Sequence, residues 1–162
     1  MSHVLPKRAL LTGGATFVAS DAITFVALLG AAASLRHQRL EWPGAHSSWA
    51  LLAGLTVVLF GASALLQVGR PVALFGVALL GVLFVGGEAW EWRALVRHGE
   101  GPAADLRHAS LFVVTGLHAL HVVCGAAYAL RVALTRRTSS VLPMYWAALD
   151  VAWVGIVLVV YL

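Results

Sequence analysis

The sequence predicts an all-α membrane protein, a polytopic bundle of five transmembrane helices. The chain has 162 residues, of which 60% are hydrophobic, and its mean hydropathy is +0.88. Only 11% of the residues are charged, whereas a soluble domain has about 25%. A chain of this size cannot bury so much apolar surface in an aqueous core. A soluble enzyme and a soluble nucleic-acid-binding protein are therefore excluded.

Five apolar runs reach the length of roughly 20 residues that a helix needs to cross the bilayer. They predict helices at 9–35, 49–68, 72–92, 109–134 and 141–162. Helices are expected because lipid-exposed backbone must satisfy its own hydrogen bonds. Short polar links separate the runs, and Pro71 suits the first turn of the third helix. The whole chain, 1–162, is interpreted as a single membrane domain.

The first helix is expected to be retained and not cleaved as a signal peptide. Lys7 and Arg8 precede an apolar run, but this run is too long for a signal core and contains Asp21. Six basic residues fall on the side of the N-terminus and five on the other side. This small excess favours a cytoplasmic N-terminus. The basic residues form short clusters and no patch, so no nucleic-acid partner is expected.

Six ionisable side chains are predicted at membrane depth, where such groups are costly and are functional candidates by default. They are Asp21, Glu88, Glu91, His118, His121 and Asp150. Asp21 is interpreted either as a carboxyl that responds to protons or contacts lipid, or as a protonated carboxyl bonded to another helix. Glu88 and Glu91 share one helix face. They form either a proton-collecting pair or, as we favour, polar groups at the membrane edge near Arg93 and Arg97.

The histidines argue against a redox centre in this chain. His118 and His121 lie three residues apart on one helix face, so they cannot bind opposite faces of one haem. The other five histidines are terminal or in loops, and a CxxCH motif is absent. We therefore expect no catalytic residue, no metal site and no bound cofactor, and we expect the two histidines to form interhelical hydrogen bonds.

The fifth helix carries a stripe of Trp146, Asp150 and Trp153 at positions i, i+4 and i+7. The stripe favours packing against a neighbouring helix. Its alternative interpretation is a wall that contacts lipid or quinone.

Four segments resemble motifs of subunit III of haem-copper oxidases, in the order of that family. The segment from Ser110 to Gly125, SLFVVTGLHALHVVCG, resembles the T-G-x-H-x-x-H-V helix. Tyr145-Trp146, Asp150 and Trp153 resemble the final helix, Y-W-H-x-x-D-x-x-W. Ser20-Asp21 with Phe25 is similar to S-E-x-x-x-F, and the segment from Gly81 to Trp92 is similar to G-x-x-F-x-x-x-Q-x-x-E-Y.

The resemblance implies the short five-helix form, which matches the last five of seven helices and has its N-terminus in the cytoplasm. It implies an accessory subunit of a bacterial terminal oxidase in the inner (plasma) membrane. Such a chain is not catalytic on its own and binds no cofactor, since haem and copper lie in catalytic subunit I. Its partners would be subunit I and membrane lipids. It would stabilise subunit I and support proton uptake in a complex that reduces oxygen and translocates protons.

The sequence departs from these motifs at four positions. Asp21 replaces a glutamate, Glu88 a glutamine, Trp92 a tyrosine and Ala147 a histidine. The departures favour a divergent branch, so a subunit III-like protein associated with nitric oxide reductase is the alternative. A small proton-coupled transporter using Asp21 and Asp150 is a further alternative, although an inverted repeat is absent. A stand-alone haem protein is the last alternative.

Overall fold

A computed structural model describes residues 7–38, 48–136 and 139–162 of the chain. These residues form five helices: α1 (Lys7–Gln38), α2 (Trp49–Gln67), α3 (Pro71–Arg97), α4 (Leu106–Thr135) and α5 (Val141–Ile156). A π-helical turn, Val157–Tyr161, continues α5. No strand occurs in the described ranges. All five helices are long and apolar enough to cross a membrane, which confirms the all-α transmembrane bundle.

Several helix ends differ from the predicted ones because polar residues continue the helices beyond their apolar runs. α1 is longer than predicted at both ends, and α3 continues five residues past Trp92, to Arg97. Gly99 ends α3 with a φ of +81°, a conformation that glycine adopts without strain. α4 begins three residues earlier than predicted, since the Asp105 carboxylate caps it by accepting from the His108 N–H at 2.8 Å.

The helices form a ring in the order α1, α4, α3, α2 and α5, with an additional contact between α4 and α5 across it. These two helices hold most of the core. In the most apolar segments of α4 and α5, 44% of the residues are buried, against 11% in α1. Most of the surface of α1 therefore faces away from the described helices.

Trp146 and Trp153 fill the centre of the bundle and are fully buried. Trp146 lies against Gly81 of α3 and Gly125 of α4, where an added Cβ would come within 3.4 Å and 3.0 Å of the indole. The small residues thus allow α3, α4 and α5 to approach closely.

Candidate functional site

Asp21 of α1 and His121 of α4 meet across the helix interface. The carboxylate oxygen Oδ2 lies 3.6 Å from Nε2 of the imidazole, and both side chains are about one-fifth exposed. The other ring nitrogen, Nδ1, lies 2.8 Å from the carbonyl oxygen of Leu117. That contact orients the imidazole so that Nε2 faces the Asp21 carboxylate.

An apolar pocket of about 460 Å³ opens beside this pair, between α1 and α5. Phe25, Leu29 and Ala152 contribute to its apolar wall, while Asp21 and His121 contribute polar atoms. A pocket with an apolar lining and few polar groups suits a ligand with an apolar body and one polar end.

Glu91 and Tyr161 form a second polar contact, at the end of the bundle where α3 ends. The Tyr161 hydroxyl donates to Oε2 of Glu91 at 2.7 Å, and both side chains are buried. Glu88, one turn earlier on α3, is fully buried, and neither of its carboxyl oxygens has a hydrogen-bond partner among the described residues. The structure therefore buries both glutamates between helices, while their position at the membrane edge stays a prediction.

His118 lies in the centre of the bundle and is fully buried. Its ring stacks on Trp153 at a centroid distance of 5.5 Å and meets the edge of Phe84 at 5.5 Å. Neither ring nitrogen has a hydrogen-bond partner in the described part of the chain. His118 therefore makes aromatic contacts where hydrogen bonds were expected.

Asp150 links α5 to α2, because the Ser63 hydroxyl donates a short hydrogen bond to its Oδ2. Trp153, one turn further along α5, donates from Nε1 to the Thr56 hydroxyl of α2 at 2.9 Å. The stripe on α5 thus faces α2 and the bundle core. The geometry is that of helix packing, with two interhelical hydrogen bonds on one face.

Outside the spans, Asp105 and His108 form a polar contact at the start of α4. Nδ1 of His108 lies 2.8 Å from Oδ2 of Asp105, and Nε2 lies 3.5 Å from Oε2 of Glu100. Partial burial acts to raise the pKa of Asp105. The hydrogen bonds from the His108 backbone and imidazole outweigh it and leave that pKa below its ordinary value.

Sequence reasoning missed the partners of the predicted residues. Tyr161 and Ser63 donate hydrogen bonds to Glu91 and Asp150, and Thr56 accepts one from Trp153. Tyr145 donates to the carbonyl of His121 at 2.9 Å, and Arg36 donates to that of Leu162 at 2.7 Å. The sequence signal that could have revealed most of these partners is a hydroxyl group within an apolar run, because such a group needs a hydrogen-bond partner in the membrane.

The ranges 7–38, 48–136 and 139–162 contain no group of three or more His, Cys, Asp or Glu side chains that could hold a metal ion. The polar groups instead pair across helix interfaces or remain unpaired in the core. Fold and polar groups together define a polytopic helical membrane protein with polar contacts between its helices.

Known proteins similar to this chain carry names from one family. Cytochrome c oxidase subunit 3 of Corynebacterium diphtheriae is 33% identical over an alignment of 129 positions that covers 66% of this chain and 62% of that protein. Cytochrome bo(3) ubiquinol oxidase subunit 3 of Pseudomonas aeruginosa is 33% identical over an alignment of 105 positions that covers 58% of this chain and 50% of that protein. The probable cytochrome c oxidase subunit 3 of Mycobacterium tuberculosis is 27% identical over an alignment of 184 positions, gaps included, that covers 98% of this chain and 91% of that protein. No protein-family model matches the chain.

These similarities support the haem-copper oxidase subunit III family for this chain. It spans less than two thirds of the length of the first two of these relatives. With five apolar helices, it is a multi-pass membrane protein.

Proposed function

We propose that the chain is an accessory subunit of a haem-copper oxidase and binds its catalytic subunit in a bacterial inner membrane. The similarity to the probable cytochrome c oxidase subunit 3 of Mycobacterium tuberculosis, which extends over 98% of this chain, carries this proposal. Haem and copper lie in the catalytic subunit, where oxygen is reduced. The five helices act as one membrane domain that stabilises that subunit.

Asp21 and His121 are the part of the chain that supports proton uptake in this proposal. Their 3.6 Å contact lies at the apolar pocket between α1 and α5. The pocket is suited to a lipid acyl chain, because its wall is apolar and its only charged or imidazole groups are these two. A lipid held there excludes water from the pair, and Asp21 takes up and releases protons beside the catalytic subunit.

The remaining polar residues of the spans supply contacts between helices in this proposal. Glu91 and His118 are buried inside the bundle, Asp150 links α5 to α2, and Trp146 and Trp153 form the packing face of α5. The burial of Glu91, His118 and the two tryptophans supports a role in holding the bundle in one arrangement for its partner.

A nitric oxide reductase is the second candidate partner enzyme. It is favoured by Ala147, which stands where the resembling motif has a histidine and which lines the pocket beside Asp21. Because this departure from the motif lies at the proposed functional site, it favours a complex other than the usual oxidase.

Purification of the tagged chain in a mild detergent tests both candidates. We expect a haem-containing catalytic subunit to copurify, with oxygen reduction in the same fraction. Nitric oxide reduction in place of oxygen reduction would assign the second candidate. A haem-free chain recovered without any catalytic subunit would contradict both.

The role of Asp21 is tested in the purified complex with the Asp21→Asn variant. We expect slower proton uptake during turnover, because the amide cannot exchange a proton with His121. Asp105→Asn is the matched control, since this carboxyl lies outside the pocket and should leave the rate unchanged. Equal rates in wild type and Asp21→Asn would contradict the proton role while leaving the accessory role intact.

A further inference from the structure

The helix-flanking segments of the sequence differ in charge between the two ends of the bundle. At the end where α1 begins, the segments 1–8, 68–70 and 131–140 contain one lysine, five arginines and no aspartate or glutamate. At the opposite end, the segments 36–48 and 93–108 contain five arginines together with two glutamates and one aspartate. The positive charge at the first end has no acidic residue to offset it, so this end attracts anions.

A pocket of about 170 Å³ opens at the positively charged end, between the α2–α3 link and the α4–α5 link. Arg70 of the first link and Arg136 of the second contribute to its lining, and Leu65, Leu74 and Leu142 contribute apolar surface. Both arginines are exposed, and neither guanidinium has a hydrogen bond or an ion pair within the described ranges. Two guanidinium groups are therefore available to a ligand at one pocket.

Arg136 has an unusual backbone conformation. It ends α4 with a φ of +50°, in the left-handed region. Glycine is the usual residue at such a helix end, because a side chain is strained there. Gly69 of the other link follows this rule, with a φ of +66°. An arginine kept in a strained position indicates that its side chain has a use beyond ending the helix.

Contacts around Ser139 fix the α4–α5 link beside the pocket. The Ser139 hydroxyl accepts a hydrogen bond from the Leu142 N–H at 3.2 Å and lies 2.8 Å from the Tyr128 hydroxyl. Leu142 is itself buried in the core while it lines the pocket. The pocket is therefore formed before any ligand binds, as is usual for binding sites.

We propose that Arg70 and Arg136 bind the phosphate group of an anionic ligand in this pocket. A guanidinium recognises a phosphate through two parallel N–H···O bonds, and its fixed charge offsets that of the phosphate. Sites that enclose a whole small molecule have roughly 300–1,000 Å³. This smaller pocket takes one polar group and leaves the rest of the ligand outside.

The position of the pocket favours a phospholipid as the source of the phosphate. The pocket lies where α2 ends and α3 begins, and the ends of membrane-spanning helices lie near the lipid headgroups. An anionic headgroup such as that of phosphatidylglycerol suits two arginines. The choline of phosphatidylcholine would add a positive charge that they repel. The site shares no lining residue with the pocket beside Asp21, so it is independent of the proton role proposed above.

Native mass spectrometry of the full chain in detergent, titrated with phosphatidylglycerol, tests the proposal. We expect one phosphatidylglycerol to bind more tightly than phosphatidylcholine. Arg70→Gln and Arg136→Gln should each weaken its binding about tenfold, because each loses a charge-assisted hydrogen bond. Arg131→Gln is the matched control, since it removes the same charge from an exposed position of α4 that does not line the pocket. The control should bind as wild type does.

Inorganic phosphate added to the same titration distinguishes the two sources. Retention of the lipid in excess phosphate would assign the site to the headgroup, and its displacement would assign the site to soluble phosphate. Equal binding of the two lipids, or an equal loss in Arg131→Gln and Arg136→Gln, would overturn the proposal, because only the overall charge would then matter.

Arg136→Gly separates a binding role of Arg136 from a structural one. Glycine relieves the strain at the end of α4, so this variant should unfold at a higher denaturant concentration than wild type when no lipid is added. It should also bind phosphatidylglycerol about tenfold more weakly. Lower stability without lipid together with unchanged binding would show a structural arginine and overturn the proposal.

Discussion

The ionisable residues of the described helices fall into two groups, those whose side chains have a hydrogen-bond partner and those whose side chains have none. Glu91 accepts a hydrogen bond from Tyr161, and Asp150 accepts one from Ser63. Hydrogen bonds of this kind contribute about 1 kcal/mol in membranes. Glu88 and His118 have no such bonds among the described residues. The paired residues thus hold helices together, whereas the unpaired ones reduce stability and are the stronger candidates for a function.

The sequence was sufficient to identify the ionisable residues within the apolar runs but not their partners. A carboxyl in such a run stands out by itself, as Asp21 and Asp150 do. Its partner is decided by helix packing, because Tyr161 lies 70 residues from Glu91 and Ser63 lies 87 residues from Asp150. No local pattern reports contacts over such separations.

Asp105 provides a prediction about capping and pH. Asp105→Ala should lower the free energy of unfolding by about 1 kcal/mol, because α4 loses its N-cap. Asp105→Asn should lower it less, since asparagine caps equally well. Because the pKa of Asp105 is lowered in the folded chain, the contribution of its charge is present at neutral pH and is lost as the pH falls through the lowered pKa.

Denaturant titrations in detergent micelles at neutral and acidic pH check this prediction. The difference between wild type and Asp105→Asn should shrink on acidification. A difference that stays constant with pH would show that the carboxylate charge contributes nothing at this helix start.

At the scale of helices, the apolar pattern determined the centre of each span, while polar and small residues determined its ends and neighbours. α3 extends to Arg97, and Leu95 continues its buried face past the predicted end at Trp92. The predicted end at Trp92 assumed that the helix stops where apolar residues stop. Close approach of α3 to α4 depends on Gly81, whose role becomes visible only when Ala126 and Trp146 are opposite it.

Gly81→Ala tests this close approach. The added Cβ would lie 2.9 Å from the Cβ of Ala126, so α3 and α4 must move apart. We expect a loss of about 1–3 kcal/mol in the free energy of unfolding, as for other overpacked cores. Gly86→Ala is the matched control on the same helix, because nothing lies within 4 Å of its added Cβ. Tryptophan fluorescence during denaturant titration measures both variants, and equal stabilities would contradict the packing argument.

For the whole molecule, composition was enough to predict the number of helices but not their arrangement. The ring order, in which α1 contacts α4 and α5, brings Asp21 to His121 and creates the pocket. Apolar helices of similar hydropathy give no signal for that order. The order arises from particular contacts, such as Leu29 of α1 against Gly155 of α5.

The orientation of the bundle in the membrane gives the last prediction. An excess of basic residues on the side of the N-terminus leads us to expect that side in the cytoplasm. The α2–α3 link then faces the cytoplasm and the α3–α4 link faces outward, because one helix separates them. In a Cys124→Ser background, a membrane-impermeant thiol reagent should label Ala103→Cys in intact cells and Arg70→Cys only after permeabilisation, since both positions are exposed. The unmodified chain should stay unlabelled, because Cys124 lies near the middle of α4, at membrane depth. The reverse labelling pattern would place the N-terminus outside and would contradict the prediction drawn from the charge difference of one residue.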